Sequence, residues 1–415
     1  MAGFRVRRAL LALIFAFAFT GYVQRTSISI ATERMMPELG LSQIQVGWLL
    51  TAFLFTYAVF QIPGALAGQW IGARRMLAWI GLATVIATLG TVAGAGVFVA
   101  LLAARALLGV AQAALFPVGA GMIRNWFPVN RWASAPALVV TGLWSGAAAT
   151  PALVAWLMQE YGWRWALVVT SVPSLLLVVL WYMYARDRPE EHPSVSEAEL
   201  QELGANPTLT PLRRPSPSLA ALRHLISDPQ ILLLTVSYFV MNYVFYLVTF
   251  WSFLYLVQAR HMTVLHSGAL AVLPFVAAGI AAGVGGRLAD RFGMRVMPLV
   301  ALPLAAVFLY LTVTAASPYW AVAALCLGFG SVELTEGSYW GATMRRAPND
   351  TMAATAFLNT GGNLGGVVAT PIIAALSSSY SWTAVFATGA VLSLVAAGLW
   401  LVIDVNVSTS LGTVR

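Results

Sequence analysis

The sequence is dominated by apolar runs long enough to cross a lipid bilayer, and this pattern leaves few folds open. A membrane-spanning helix needs about 20 mostly apolar residues. The chain contains about twelve such runs, and a composition of 60% hydrophobic and 9% charged residues leaves too little polar surface for a soluble globule. We therefore predict an all-α, multi-pass membrane protein with spans at 9–30, 43–68, 76–95, 99–122, 132–158, 163–185, 229–257, 266–288, 296–314, 318–342, 351–375 and 381–404.

The polar stretch from Arg186 to Arg223 interrupts this pattern near the middle of the chain. It is rich in proline and in charged residues of both signs, and it has no spacing typical of a catalytic site. We interpret it as a solvated tether with one short surface helix around Ser194–Leu203. The predicted organisation is an N-terminal bundle at 1–185, a cytoplasmic linker at 186–225 and a C-terminal bundle at 226–415.

The net charge of +8 indicates orientation rather than nucleic-acid binding. Every basic residue is arginine, and the chain has no lysine. If the N-terminus is cytoplasmic, the outer loops keep only Arg34, Arg164 and Arg260, as the positive-inside rule expects. We therefore predict a plasma-membrane protein, in bacteria an inner-membrane protein, with both termini in the cytoplasm. The first span has no small-residue cleavage site after it, so we expect an uncleaved helix.

A short loop sequence occurs once in each half of the chain. Gly64-Ala-Leu-Ala-Gly68 leads to Arg74 and Arg75, and Gly286-Arg-Leu-Ala-Asp290 leads to Arg291, Gly293 and Arg295. Such a repeat indicates duplicated halves. The paired loops resemble the gating-loop signature of the major facilitator superfamily, although Gly68 stands where the first copy should have aspartate.

Three further segments resemble one group within that superfamily, the anion:cation symporters. They are Arg105–Pro117, Trp126-Phe127-Pro128 and Asn359–Gly366. This group includes sugar-acid permeases, sialin and vesicular glutamate transporters. The resemblance implies two pseudo-symmetric six-helix bundles, a substrate site at the midplane between them and transport by alternating access.

Arg25 is the main candidate for substrate binding because it lies within the first apolar span. Its side chain could extend to the outer interface. Alternatively it could bind an anion in a central cavity, since guanidinium offers a fixed fork of donors to a carboxylate. We choose the second interpretation. Further substrate contacts are predicted from hydroxyl and amide groups in the second, seventh and eleventh spans, namely Tyr57, Tyr246, Asn359 and Asn363. Core packing is the alternative for Tyr57.

Ion coupling is harder to predict because two expected carboxylates are absent. The resemblance places acidic residues before the first-span arginine and in the fourth span, where this chain has Gln24 and Gln112. Glutamine cannot release a proton. Arg105 would then bond to Gln112 or to substrate, with a structural role as the alternative. Glu333 and Glu336 share a face of the tenth span and are candidates for a displaced coupling site, with a structural role for Glu336 as the alternative.

These observations predict a secondary transporter of a small organic anion, such as a sugar acid or an aromatic acid. A proton or a sodium ion is the candidate coupling ion, and the lipid bilayer is the other partner. An exchanger or facilitated uniporter without proton coupling is one alternative, and a transporter-like sensor that moves nothing is another. We expect a monomer that is not an enzyme, with no cofactor, no metal and no nucleic-acid partner.

Overall fold

The computed structural model describes residues 5–41, 43–204, 225–262, 267 and 269–405. Residues 205–224 of the predicted linker, His266 and both chain ends lie outside these ranges. The described chain is helical and contains no strand. Its helices are α1 Arg5–Leu39, α2 Gln43–Ile71, α3 Ala73–Ala93, α4 Phe98–Ala113, α5 Leu115–Trp126, α6 Ser134–Tyr184, α7 Glu197–Gly204, α8 Pro229–Gln258, α9 Leu273–Phe292, α10 Val296–Thr314, α11 Pro318–Glu333, α12 Glu336–Arg346, α13 Thr351–Ser379 and α14 Trp382–Leu399.

The predicted spans match these helices in order, and three places show how the chain interrupts them. The fourth span is divided into α4 and α5 at Ala114, because Pro117 has no N–H to donate to the carbonyl of Ala113. The fifth and sixth spans run together as α6, with a break at Gly162, whose φ is 80°. The tenth span is divided at Leu334–Thr335. Eight segments of the described chain are long and apolar enough to cross a membrane, so this is a multi-pass membrane protein.

The chain forms two compact units. The first consists of Met1–Pro128 and Gly142–Ser218, and the second of Val129–Thr141 and Leu219–Arg415. The first turns of α6 therefore pack with the second unit, which a boundary at the linker does not anticipate. The division into 1–185, 186–225 and 226–415 stays a prediction.

Close contacts between helices in the first unit depend on glycine. A Cβ on Gly109 of α4 would lie 3.0 Å from the backbone nitrogen of Tyr57 on α2. The Thr56 hydroxyl donates to the carbonyl of Ala106 across the same contact, at 2.9 Å. A Cβ on Gly142 of α6 would lie 2.7 Å from the Phe15 carbonyl of α1. Small residues allow such backbone approach where lipid gives no hydrophobic driving force.

The beginning of the linker is a packed part of the first unit. Glu199 of α7 pairs with Arg7 of α1 at 3.1 Å, and both side chains are buried. His192 lies between the rings of Trp126 and Tyr184, at 6.0 and 5.0 Å. Burial, together with the charge of Arg186, lowers the pKa of His192. The interpretation of this part as a freely solvated tether is therefore wrong, whereas the short helix is present at 197–204.

Candidate functional site

Arg25 is surrounded by three aromatic rings of the first unit. Its guanidinium carbon lies 5.1 Å from the ring centre of Tyr22, 4.9 Å from that of Phe53 and 5.0 Å from that of Tyr57. Phe53 and Tyr57 are one turn apart on α2, and their rings stack at 5.6 Å. Each ring face attracts a cation by its quadrupole. The side chain is half-buried within α1, and these three rings lie on its guanidinium group.

Arg105 approaches the same ring from α4. Its guanidinium carbon lies 5.2 Å from the ring centre of Phe53, and its Nη2 donates to the backbone carbonyl of Arg25 at 3.3 Å. The side chain is only 2% exposed, and its buried Nε has no hydrogen-bond partner among the described residues. The structure thus brings Arg25, Tyr57 and Arg105 together, with Phe53 as their common neighbour.

Gln24 points away from this cluster into the interior of the first unit. Its amide nitrogen donates to the hydroxyl of Ser174 on α6 at 2.7 Å, and its amide oxygen accepts from the hydroxyl of Thr88 on α3 at 3.0 Å. The residue is 1% exposed. Gln24 therefore links three helices by hydrogen bonds, although it adjoins Arg25 in sequence.

Gln112 also bonds within the protein rather than to its predicted partner. Its amide nitrogen donates to the carbonyl of Gly21 on α1 at 3.0 Å, and the side chain is 4% exposed. Arg105 instead donates to the backbone carbonyl of Arg25. Sequence spacing on one helix suggested the Arg105–Gln112 pair, but both residues bond to the neighbouring helix α1.

A chain of hydrogen bonds joins three predicted substrate contacts in the second unit. The Tyr246 hydroxyl of α8 donates to the side-chain oxygen of Asn363 on α13 at 2.8 Å. The Asn363 amide nitrogen donates in turn to the carbonyl of Asn359 at 2.7 Å. The buried amide nitrogen of Asn359 has no partner among the described residues. This series of bonds therefore ends in a donor that a ligand oxygen could use.

The glycines of α13 allow α8 to approach this helix closely. A Cβ on Gly362 would lie 2.6 Å from the Tyr238 ring and 2.8 Å from the side-chain nitrogen of Asn242. Asn242 lies four residues before Tyr246 on α8 and so on the same face. Its amide nitrogen donates to its own helix, at the Tyr238 carbonyl. The buried Tyr243 hydroxyl has no partner in the described chain, and sequence reasoning gave it no role.

Glu336 lies in a pocket of hydrogen-bond donors. One of its carboxylate oxygens accepts from the Tyr238 hydroxyl at 2.7 Å and from the Trp340 indole nitrogen at 3.0 Å. Glu336 is 8% exposed, and Glu333, on the other side of the helix break, is 1% exposed. Trp340 could have been found from sequence, because a residue four positions along a helix shares its face. Tyr238 could not, because it comes from α8.

The two repeated loops make the same contact in each unit. Arg74 of the first unit donates to the carbonyl of Tyr182, near the end of α6, at 2.5 Å. Arg295 of the second unit donates to the carbonyl of Trp400, just after α14, at 2.9 Å, and to that of Leu401. Each arginine thus occupies carbonyls left free at a helix end. Arg75 and Arg291 are exposed, and Gly64 lies within α2, not in the loop, where it packs against Ala114.

Asp290 caps a helix within the second unit. Its two carboxylate oxygens accept from the backbone nitrogens of Ala133 and Ser134, at 3.1 and 3.0 Å, where α6 begins. A Cβ on Gly286 would lie 2.8 Å from the Ala133 carbonyl, so the glycine permits this approach.

The two loops align on a pair of glycines with the same backbone conformation. Gly72 has φ 94° and ψ 147°, and Gly293 has φ 104° and ψ 138°. Three positions before each glycine stand Gln69 and Asp290, so Gln69, and not Gly68, matches the aspartate. The first copy still lacks a carboxylate at this position.

The comparisons with known proteins agree with this architecture. A family model described as Major Facilitator Superfamily matches residues 11–354. The chain is 27% identical to the probable sulfoacetate transporter SauU of Cupriavidus necator, over 89% of this chain and 86% of that one. It is 26% identical to the probable anion transporter 4, chloroplastic, of rice (Oryza sativa subsp. japonica), over 91% of this chain. The matched region spans 65% of the rice protein's length.

Solved structures give the same fold. The fucose:proton symporter FucP of Escherichia coli superposes with a TM-score of 0.75 at 14% identity, over 96% of this chain and all of that one. The proton:xylose symporter XylE gives 0.75 at 12% identity, over 97% of each chain. These structures confirm the predicted fold. The family match and the transporter relatives confirm the prediction of a transporter rather than an enzyme. The chain belongs to the Major Facilitator Superfamily.

Proposed function

We propose that this protein is a secondary transporter that moves a small organic anion across the membrane by alternating access. The observation that carries the proposal is Arg25, a cation within a membrane-spanning helix and enclosed by the rings of Tyr22, Phe53 and Tyr57. Charge within a membrane span is costly and is retained mainly for function. The names of SauU and of the rice relative, which describe an organic-anion and an anion transporter, support the same class of substrate.

The proposed substrate contacts have distinct roles. Arg25 binds a carboxylate through paired N–H donors, while the aromatic rings exclude water and strengthen the charge interaction. In the second unit, Asn359 offers its amide N–H to a hydroxyl or carboxylate oxygen, and Tyr246 fixes the orientation of Asn363.

Coupling to a proton is proposed at Glu336, with Glu333 beside it, because these are buried carboxylates in the second unit. A carboxylate can bind and release a proton, whereas the amides of Gln24 and Gln112 cannot. An exchanger or uniporter without coupling is the second candidate. It is favoured by the internal hydrogen bonds of both glutamines, which occupy the positions where the resemblance expects carboxylates.

We further propose that the protein lies in the plasma membrane, in bacteria the inner membrane, with both termini in the cytoplasm, and that it acts as a monomer. The arginine distribution supports the orientation.

The experiment is uptake by proteoliposomes containing the full-length protein, with labelled sugar acids and aromatic acids as probes. Uptake should require the carboxylate, so the matching neutral sugar should not compete. Arg25→Lys keeps the charge but loses the paired donors, and we expect uptake affinity to fall by about tenfold, equivalent to about 1.4 kcal/mol.

Arg34→Gln is the matched control, because Arg34 is exposed near the outer end of the same helix. Its affinity should match that of the unmodified protein. Equal uptake of acids and neutral sugars, or full affinity in Arg25→Lys, would contradict the proposal.

A further inference from the structure

Away from their ends, the spans of the first bundle hold two arginines and no acidic residue. Within the predicted spans up to residue 185, the basic residues are Arg25, Arg105 and Arg164, and neither aspartate nor glutamate occurs. Arg164 lies at the outer end of the sixth span, where its side chain is exposed and pairs with Glu38. The acidic residues of this part of the chain, Glu33, Glu38 and Glu160, fall in the outer connections between the spans. The membrane interior of this bundle therefore carries an excess of two positive charges from its own side chains.

Arg105 is the more deeply buried of the two. It is 2% exposed, and it forms no ion pair in the part of the chain that the structure describes. Guanidinium has five N–H donors. One nitrogen, Nη2, bonds to the Arg25 carbonyl, whereas the enclosed Nε has no acceptor. A buried donor without an acceptor is costly, and in a site it indicates where a ligand atom binds.

The position of Arg105 is fixed by the contact between α2 and α4. Gly109 and the bond from Thr56 to Ala106 bring the two helices together, so Arg105 is held against Phe53. The guanidinium carbons of Arg25 and Arg105 lie 4.9 and 5.2 Å from the centre of that ring and so are within about 10 Å of each other. Two like charges this close repel, and an anion that contacts both removes the repulsion.

We propose that Arg105 is a second substrate-binding residue and that the preferred substrate is a small dianion. One end is a carboxylate held by Arg25, and the other end is a carboxylate, sulfonate or phosphate group held by Arg105, next to Phe53. This inference rests on the proposed function and narrows its substrate class from organic anions in general to anions with two charged ends.

The test compares dianions with monoanions of the same shape. Succinate and its half-amide succinamate form one pair of probes, and glucarate and gluconate form the other. Competition with labelled uptake in proteoliposomes gives the affinity of each probe, and a thermal-shift titration of the purified protein gives a readout independent of transport. We expect the unmodified protein to bind the dianion of the better pair at least tenfold more tightly.

Arg105→Gln should remove this preference by weakening dianion affinity about tenfold, with monoanion affinity changed by less than threefold. Arg25→Gln should weaken both. Arg105→Lys should restore part of the preference, because it restores the charge. Arg34→Gln, an exposed arginine of α1, should change neither affinity.

Three results distinguish failure of this inference from failure of the proposed function. If no organic anion binds to the unmodified protein, the proposed function is wrong. If anions bind but dianions bind no more tightly than monoanions, Arg105 is not a second substrate-binding residue, and the proposed transporter function is unaffected. If Arg105→Gln weakens both members of a pair equally, Arg105 only positions Arg25 and Phe53. Should Arg105→Gln fail to fold, the preference of the unmodified protein and of Arg105→Lys still decides the question.

Discussion

At the scale of single residues, neighbours in sequence have separate tasks. Arg25 lies among aromatic rings, whereas Gln24 faces the interior and bridges Thr88 and Ser174. Successive residues of a helix point about 100° apart, so one side chain can face a site while the next supports the bundle.

Gln24→Leu should destabilise the first unit. The change leaves the buried hydroxyls of Thr88 and Ser174 without their amide partner, which costs about 1–3 kcal/mol. Thermal unfolding of the purified protein should show a lower midpoint. Ser29→Ala, an exposed hydroxyl on the same helix, should leave the midpoint unchanged. An unchanged midpoint in Gln24→Leu would show that the bridge contributes no stability.

Glu336→Gln should abolish accumulation driven by a pH gradient and retain exchange of substrate against substrate. Glutamine can still accept from Tyr238 and Trp340, but it cannot carry the proton. The measurement is uptake by proteoliposomes under an imposed gradient and then with trapped substrate alone. Glu160→Gln, an exposed outer carboxylate, is the control. Undiminished accumulation in Glu336→Gln would show that Glu336 does not couple proton movement to transport.

Sequence reasoning predicted part of this site. Intramembrane charge singled out Arg25, Arg105, Glu333 and Glu336, because charge within an apolar span is rare. It could not show that Gln112 bonds to Gly21 or that Tyr238 bonds to Glu336, because those partners come from other helices. Phe53 could have been found, since it lies one turn before Tyr57.

At the scale of elements, hydropathy predicts where helices lie, and proline and glycine explain two of their interruptions, in the fourth span and between the fifth and sixth. Ala114 and Gly162 mark breaks that length alone does not reveal. The packing of α7 against α1 could not be predicted from the sequence, because the Arg7–Glu199 pair joins residues far apart in the chain. A polar composition therefore predicts exposure poorly where a tertiary ion pair forms.

Gly72→Ala should destabilise the protein. Its φ of 94° and ψ of 147° lie in a region open almost only to glycine, so a side chain there costs about 1–3 kcal/mol. Gly398→Ala is the matched control, because Gly398 lies within α14 with open space around it. Alanine should stabilise that helix by about 0.5–1 kcal/mol. Equal midpoints for the two variants in thermal unfolding would contradict the loop conformation.

At the scale of the whole molecule, the number of spans and the family follow from hydropathy and from the repeated loop. The packing of 129–141 with the second unit does not follow from the sequence, because it depends on the Asp290 cap at the start of α6. Orientation in the membrane is a property of the entire arginine distribution.

Single cysteines should report this orientation. In a Cys326→Ser background, which is free of other cysteines, Glu160→Cys should react with a membrane-impermeant maleimide in intact cells. Ser194→Cys, at the start of the linker, should react only after the cells are permeabilised. Both side chains are exposed, so labelling depends on which side of the membrane each residue faces. The reverse labelling pattern would overturn the cytoplasmic assignment of the termini and linker.

Arg74 and Arg295 each combine a positive charge with a planar set of hydrogen-bond donors. Their positive charges belong to the arginine distribution that predicts the orientation, and as planar donors they bond to carbonyls at the ends of α6 and α14. Lysine would satisfy the first requirement only. A chain recoded from arginine to lysine would keep these positive charges but lose the bonds that close one helix end in each unit. At these two positions arginine rather than lysine therefore has a structural reason as well as an electrostatic one.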